Sequence, residues 1–199
     1  KIDKHSYDEV PSIAIISFEN KGKEEDVFYA YGISADLISD VTSAGLIRVA
    51  SKKQIDEAGE LPQNELAKVL DVRYLANGEL WRKGGMFQLS VELYDTNEKN
   101  VVWSDRWQED WDNLTTIKGN LAGDLLKAIN SKHRVKKPIG TTNTEAYEYY
   151  LRAKYKYYKM QNKADIEIVK GLLHKAIKLD GNLLEAKDII SFEIGRAHV

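Results

Sequence analysis

The alternation of Phe87, Leu89, Val91 and Leu93 with Gln88, Ser90 and Glu92 constrains this chain more than any other run. A period of two sets one strand face in a core and the other against water, so it predicts a half-buried antiparallel strand. Gly84-Gly85 precedes it as a hairpin turn and makes Arg73 to Arg82 the partner on one side. The polar turn Asp95 to Asn100 makes Val101 to Trp107 the partner on the other, completing a three-stranded meander.

Upstream the patterns differ. Ser12 to Phe18, after Pro11, is a nearly continuous apolar run that suits a strand buried on both faces. A charged loop, Glu19 to Asp26, leads to Ile33, Leu37, Ile38 and Val41 at helical spacing, with Ser34 near the start and Gly45 past the end. Leu46 to Ala50 reads as a second short strand and Glu65 to Leu70 as a shorter helix. Leu114, Ile117, Leu121, Leu125 and Ala128 mark a closing helix with Asp112 as candidate N-cap. The order β-α-β-α-β-β-β-α gives an α/β (α+β) fold whose helices are expected on one face of a mixed sheet.

Composition narrows the function classes. At 43% hydrophobic and 30% charged the chain is globular, and no apolar run approaches the ~20 residues of a spanning helix. The absence of cysteine removes thiol nucleophiles, disulfide scaffolds and cysteine-based metal sites. Charge is divided: residues 1–131 carry 15 Lys and Arg against 23 Asp and Glu, whereas residues 132–199 carry 14 against 8. That division predicts two modules and argues against nucleic-acid binding by the acidic one.

Five blocks, in order, resemble the TolB-type amino-terminal domain, related to FlgO-like proteins. They are Pro11 to Asn20, Tyr31-Gly32-Ile33-Ser34-Ala35-Asp36-Leu37-Ile38, Leu70 to Leu80, Phe87 to Asp95, and Val102-Trp103-Ser104-Asp105-Arg106-Trp107. The resemblance covers most of residues 11–131. It departs from the family at Tyr31, which replaces an acidic residue, at Asp71 and Asn77, which replace Gly and Glu, and between Ser51 and Asn64.

Residues 132–143 are basic, then Pro-, Gly- and Thr-containing, and read as a linker. Over 144–190, Thr144 opens a Tyr-rich helix and a second follows Asn162. Lys175 to Asn182 is similar to the close of a tetratricopeptide repeat, and Leu183 to Ile190 would begin the next one, so the array is expected to continue. Residues 193–199 resemble the translated read-through of a sequencing adapter and are expected to stand outside the fold.

The chain holds no Walker A, GxGxxG, HExxH, GxSxG or EF-hand pattern. His5, His133, His174 and His198 are scattered, and neither a metal nor a cofactor is expected. Asp36 and Asp40, four apart on one helix face, read as solvated surface rather than an acid pair. Trp103 and Trp107 share a strand face, with Trp111 and Trp81 nearby, and read as core and edge packing rather than a ligand platform. Arg152, Lys156, Lys159 and Lys163, at spacings of four, three and four, form a basic stripe. Beside the reading as a solvated face stands one as contacts for an acidic peptide or carboxylate terminus.

The expected function is a non-catalytic regulatory and protein-interaction module. The resemblance implies an attached effector such as a class III adenylate/guanylate cyclase, a protein kinase or a winged-helix domain. The alternative is a periplasmic envelope or flagellar assembly factor. Compartment and oligomeric state stay open, and no membrane segment or bound nucleic acid is expected in this stretch.

Overall fold

A computed structural model describes residues 10–45, 47–129 and 141–196, with side chains through residue 192. The strands are β1 (Ser12–Ile15), β2 (Glu19–Asn20), β3 (Arg48–Val49), β4 (Tyr74–Lys83), β5 (Met86–Asp95) and β6 (Asn100–Asp110). The helices are α1 (Val27–Ser43), α2 (Lys52–Ala58), α3 (Gln63–Leu70), α4 (Leu114–Ala128), α5 (Thr144–Tyr158), α6 (Lys163–Leu179) and α7 (Leu184–Arg196).

The strands form one mixed sheet in the order β3-β1-β4-β5-β6, with β2 also paired to β4. The β3, β1 and β4 pairings are parallel, and those of β4 with β5 and of β5 with β6 are antiparallel. The expected meander is therefore present, turned at Gly84, whose φ of 61° is easy only for glycine. Phe18 lies over Gly78 of β4, where a Cβ would come within 2.6 Å of its ring. That ring fills the sheet surface that the glycine leaves bare.

The expectation that helices cover one face is corrected. Ile13 and Ile15 of β1 point into the larger cluster with Leu80, Phe87, Leu89, α1 and α4. Ala14, between them, points the other way and joins Leu75 in a second cluster with Ile55 of α2 and Leu66, Ala67 and Leu70 of α3. The pleat alternates sides, so a strand with no polar position is buried on both. α2 was not anticipated. It is one capping box, in which Ser51 accepts from the backbone of Gln54 and the Gln54 side chain returns to Ser51, around the single buried Ile55.

Two helix boundaries also differ from expectation. α1 begins at Val27, so Ser34 lies mid-helix and its hydroxyl donates to the Tyr31 carbonyl. The buried run Phe28, Tyr29 and Ala30 extends the apolar surface back beyond the periodic residues. Asp112 does not cap α4. It lies in a 3-10 turn, Trp111–Asn113, and Asn113 holds the N-cap position. Asn143 and Asn162, not singled out as caps in the sequence, cap α5 and α6, accepting from the backbone amides of Ala146 and Asp165.

α5, α6 and α7 follow one another as packed helices, and α7 keeps its helical backbone to Arg196. The apolar cluster under the sheet runs without interruption through Tyr147, Tyr150, Leu151, Val169, Leu173 and Ala186. Among the described residues no helix is long and apolar enough to cross a membrane. Most of the proposed linker, 132–140, lies outside the described residues, as do Leu46, His5, His133 and His198.

Candidate functional site

One stripe of α1, made of Gly32, Asp36 and Asp40 at successive spacings of four, faces the helical layer. Gly32 lets α5 approach. A Cβ there would lie 2.5 Å from Leu151 Cδ2 and 3.2 Å from Leu151 Cβ. One turn on, Asp36 is only 6% exposed yet fully partnered. It accepts from Tyr147 Oη at 2.8 Å, from Tyr150 Oη at 3.0 Å and from Lys154 Nζ at 2.5 Å. Lys118 of α4, also buried, stands 3.9 Å from Asp36 and 2.8 Å from Asp40. The Asp40 oxygen makes that contact as an ion pair outside the geometry of a directed hydrogen bond.

The electrostatics follow from burial set against pairing. Burial alone would raise the Asp36 carboxyl. The charges of Lys154 and Lys118, with the hydrogen bonds from Lys154 and Tyr147, outweigh it and hold the group below its usual value. Asp40 has fewer partners, so burial prevails and its carboxyl is raised. Burial works to lower the Lys118 ammonium, but Asp36 and Asp40 overcome it and the group is raised. The Tyr147 and Tyr150 hydroxyls are pushed far up by burial and by Asp36, so they act as donors. Asp36 and Asp40 are thus neither solvated surface nor an acid pair, but the charged centre of a joint between α1, α4 and α5.

A second contact widens the joint. Tyr31 stacks on Tyr158 with ring centroids 4.6 Å apart and meets Tyr155 edge-on at 5.4 Å. Lys52 of α2 lies 5.3 Å from both the Tyr31 and Tyr158 rings. Tyr31 is therefore a docking residue for α5.

The four residues of the predicted basic stripe differ in what they touch. Arg152 pairs with Glu148 at 2.6 Å and lies over the Phe28 ring, and Lys156 pairs with Asp165 of α6 at 2.6 Å. Lys159 lies over the Tyr158 ring and Lys163 opens α6, both exposed. A further basic residue of α5 that reaches α1 is Lys154, which sequence reasoning missed. Its signal was the series Tyr147, Tyr150, Lys154 at spacings of three and four, a polar stripe facing inward.

The tryptophans divide. Trp103 and Trp107 share a face of β6, 6.4 Å apart, and pack against the core. Trp111 is buried beneath the Arg82 guanidinium, 4.1 Å from its ring. Trp81 pairs in register with Gln88 on the opposite sheet face, beside Lys21 and Glu79. They form no single platform. His174 Nδ1 lies 3.0 Å from the Lys170 carbonyl within α6. Among the described residues no group of three or more His, Asp or Glu is placed to hold a metal ion.

No protein-family profile matches the chain, and no curated protein is similar to it in sequence. Solved structures with partial likeness include TolB from Acinetobacter baumannii, at 15% identity and TM-score 0.47 over 61% of this chain. The chain spans 29% of that TolB chain. The lipoprotein GNA1162 from Neisseria meningitidis matches over 61% of this chain and 99% of its own, at 14% identity and TM-score 0.44. LpoB of E. coli matches over 50% of this chain and 57% of its own, at 14% identity and TM-score 0.39.

Proposed function

We infer that the chain is a non-catalytic interaction module that docks a protein partner, as an envelope assembly factor with a TolB/FlgO-like domain. The observation that carries this reading is β6. It is an eleven-residue strand at the end of the sheet, and among the described residues no strand pairs with its outer side. Val101 and Val102 stand exposed at its start, while Asp105, Arg106, Glu109 and Asp110 charge its far half. Long open edges accept a further strand, and charge is the usual deterrent. The charged half discourages indiscriminate pairing and leaves the valine end for a specific partner. The engagement of the buried charged groups with one another at the joint supports binding rather than turnover.

The helical layer supplies the second proposed contact, with Arg152, Lys156, Lys159 and Lys163 receiving an acidic peptide. A photo-crosslinking residue placed at Val102 in the source bacterium, followed by cell fractionation, tests the reading. The expected product is a crosslink to an envelope protein that a second change, Val101→Lys, abolishes. A crosslink to a cytoplasmic nucleotide cyclase or kinase would instead favour a signalling module, and turnover of any substrate by the purified chain would overturn the non-catalytic reading.

A further inference from the structure

Beside the charged joint lies a cleft of about 110 Å3 between α1, α4, α5, the start of α7 and the Thr141–Thr142 segment. Beside the Thr115, Thr116 and Thr142 hydroxyls, which can donate or accept, its polar lining holds several groups that offer only lone pairs. Tyr147 and Tyr150 spend their hydroxyl hydrogens on Asp36 and turn only lone pairs elsewhere. Thr141 is placed to donate to the Asn143 carbonyl, 3.5 Å away, and accepts from the Asn143 amide. Glu185 of α7 reaches the cleft with one carboxylate oxygen, Oε2, buried and without a hydrogen-bond partner. The only cation in the lining, Lys118, is committed to Asp36 and Asp40.

The charges around the joint do not cancel. Asp36, Asp40 and Glu185 oppose Lys118 and Lys154, which leaves one carboxylate unmatched. Buried carboxylates that lack a partner are costly, and an acceptor-rich cleft is satisfied by a donor-rich guest. A cleft of this size exceeds what a single water fills. We propose that it binds a small protonated primary amine, whose ammonium sits between Glu185 Oε2 and the Tyr147, Tyr150 and Thr141 oxygens.

Such a guest would brace α7 against α4 and α5, so occupancy tightens the helical layer on the sheet domain. Ligand binding to the folded state alone raises the unfolding temperature in a saturable way. The test follows the unfolding of the purified chain at pH 8 by tryptophan fluorescence. Methylammonium chloride replaces sodium chloride at constant ionic strength. The expected result is a saturable rise of several degrees with methylammonium, lost in Glu185→Gln and reduced in Thr115→Val, which removes a hydroxyl from the cleft lining. Both variants should fold as the parent does. Without amine, Glu185→Gln should be at least as stable as the parent, because it removes the unmatched charge. No saturable rise in the parent, or an equal rise in Glu185→Gln, would overturn the proposal.

Discussion

The joint at Asp36 and the edge at β6 spend charge in opposite ways. At the joint, two carboxylates and two ammonium groups from three helices are withdrawn from water and hold one another. At the edge, Asp105, Arg106, Glu109 and Asp110 stay in water on a strand whose outer side pairs with no strand among the described residues. Buried charge is demanding about its partners, because each unmatched group keeps its full desolvation cost, so it specifies a single arrangement. Exposed charge contributes little energy and acts mainly by deterring neighbours. The same residue types therefore fix the internal architecture in one place and leave a surface selectively open in the other.

The largest effect is expected from Asp36→Ala. It strands Lys154 and two tyrosine hydroxyls and leaves Lys118 with Asp40 alone, and breaking a buried pair on one side costs about 3–5 kcal/mol, measured by urea denaturation. Next comes Gly32→Ala. Helix propensity favours alanine by about 1 kcal/mol, whereas overpacking against Leu151 costs about 1–3 kcal/mol. A net loss is expected, and it should reverse sign in a Leu151→Ala background, which a double-mutant cycle reads directly.

Acid should first strengthen the joint and then break it. Asp40 and Glu185 are raised from 3.8 and 4.5, so the folded state takes up their protons first and stability rises as pH falls toward those values. Asp36 is lowered from 3.8, so its stabilisation is complete above that pH and is lost as pH falls through its folded value. Asp95, held low by hydrogen bonds from Arg73 and from two turn amides despite its burial, adds to the same loss. Asp40→Asn should flatten the mildly acid rise in a urea-midpoint series against pH. The smallest effect on folding belongs to the exposed charges. Lys159→Glu with Lys163→Glu should leave the unfolding midpoint unchanged while abolishing binding of an acidic peptide, measured by fluorescence anisotropy.

The meander was legible because Phe87 to Leu93 alternates over a whole strand and Gly84 marks its turn, both local signals. α5 and α6 were legible from the Tyr-rich run that Thr144 opens and from the helical run after Asn162, although Asn143, which caps α5, read as linker. α2 was hidden because one buried residue, Ile55, gives no periodicity. The joint was hidden for a different reason. Two aspartates four apart on a helix normally face water, and Lys154 lies 118 residues from Asp36. A usable signal was nevertheless present in α1. Residues 28–37 are apolar or small on every side apart from Tyr29, Tyr31, Ser34 and Asp36, and a helix apolar all round is a buried helix. An aspartate inside such a run needs a cation from elsewhere, and the basic second half of the chain supplies it.

The most direct test of the joint uses the placement of the tryptophans. Trp81, Trp103, Trp107 and Trp111 all lie in β4, β6 and the turn before α4, and none lies in α5, α6 or α7. Tryptophan fluorescence therefore follows the sheet domain, while ellipticity at helical wavelengths includes the helical layer. If the joint makes the two parts one cooperative unit, their urea transitions coincide in the parent and separate in Asp36→Ala. Separate transitions in the parent chain, or coincident ones in Asp36→Ala, would contradict that account.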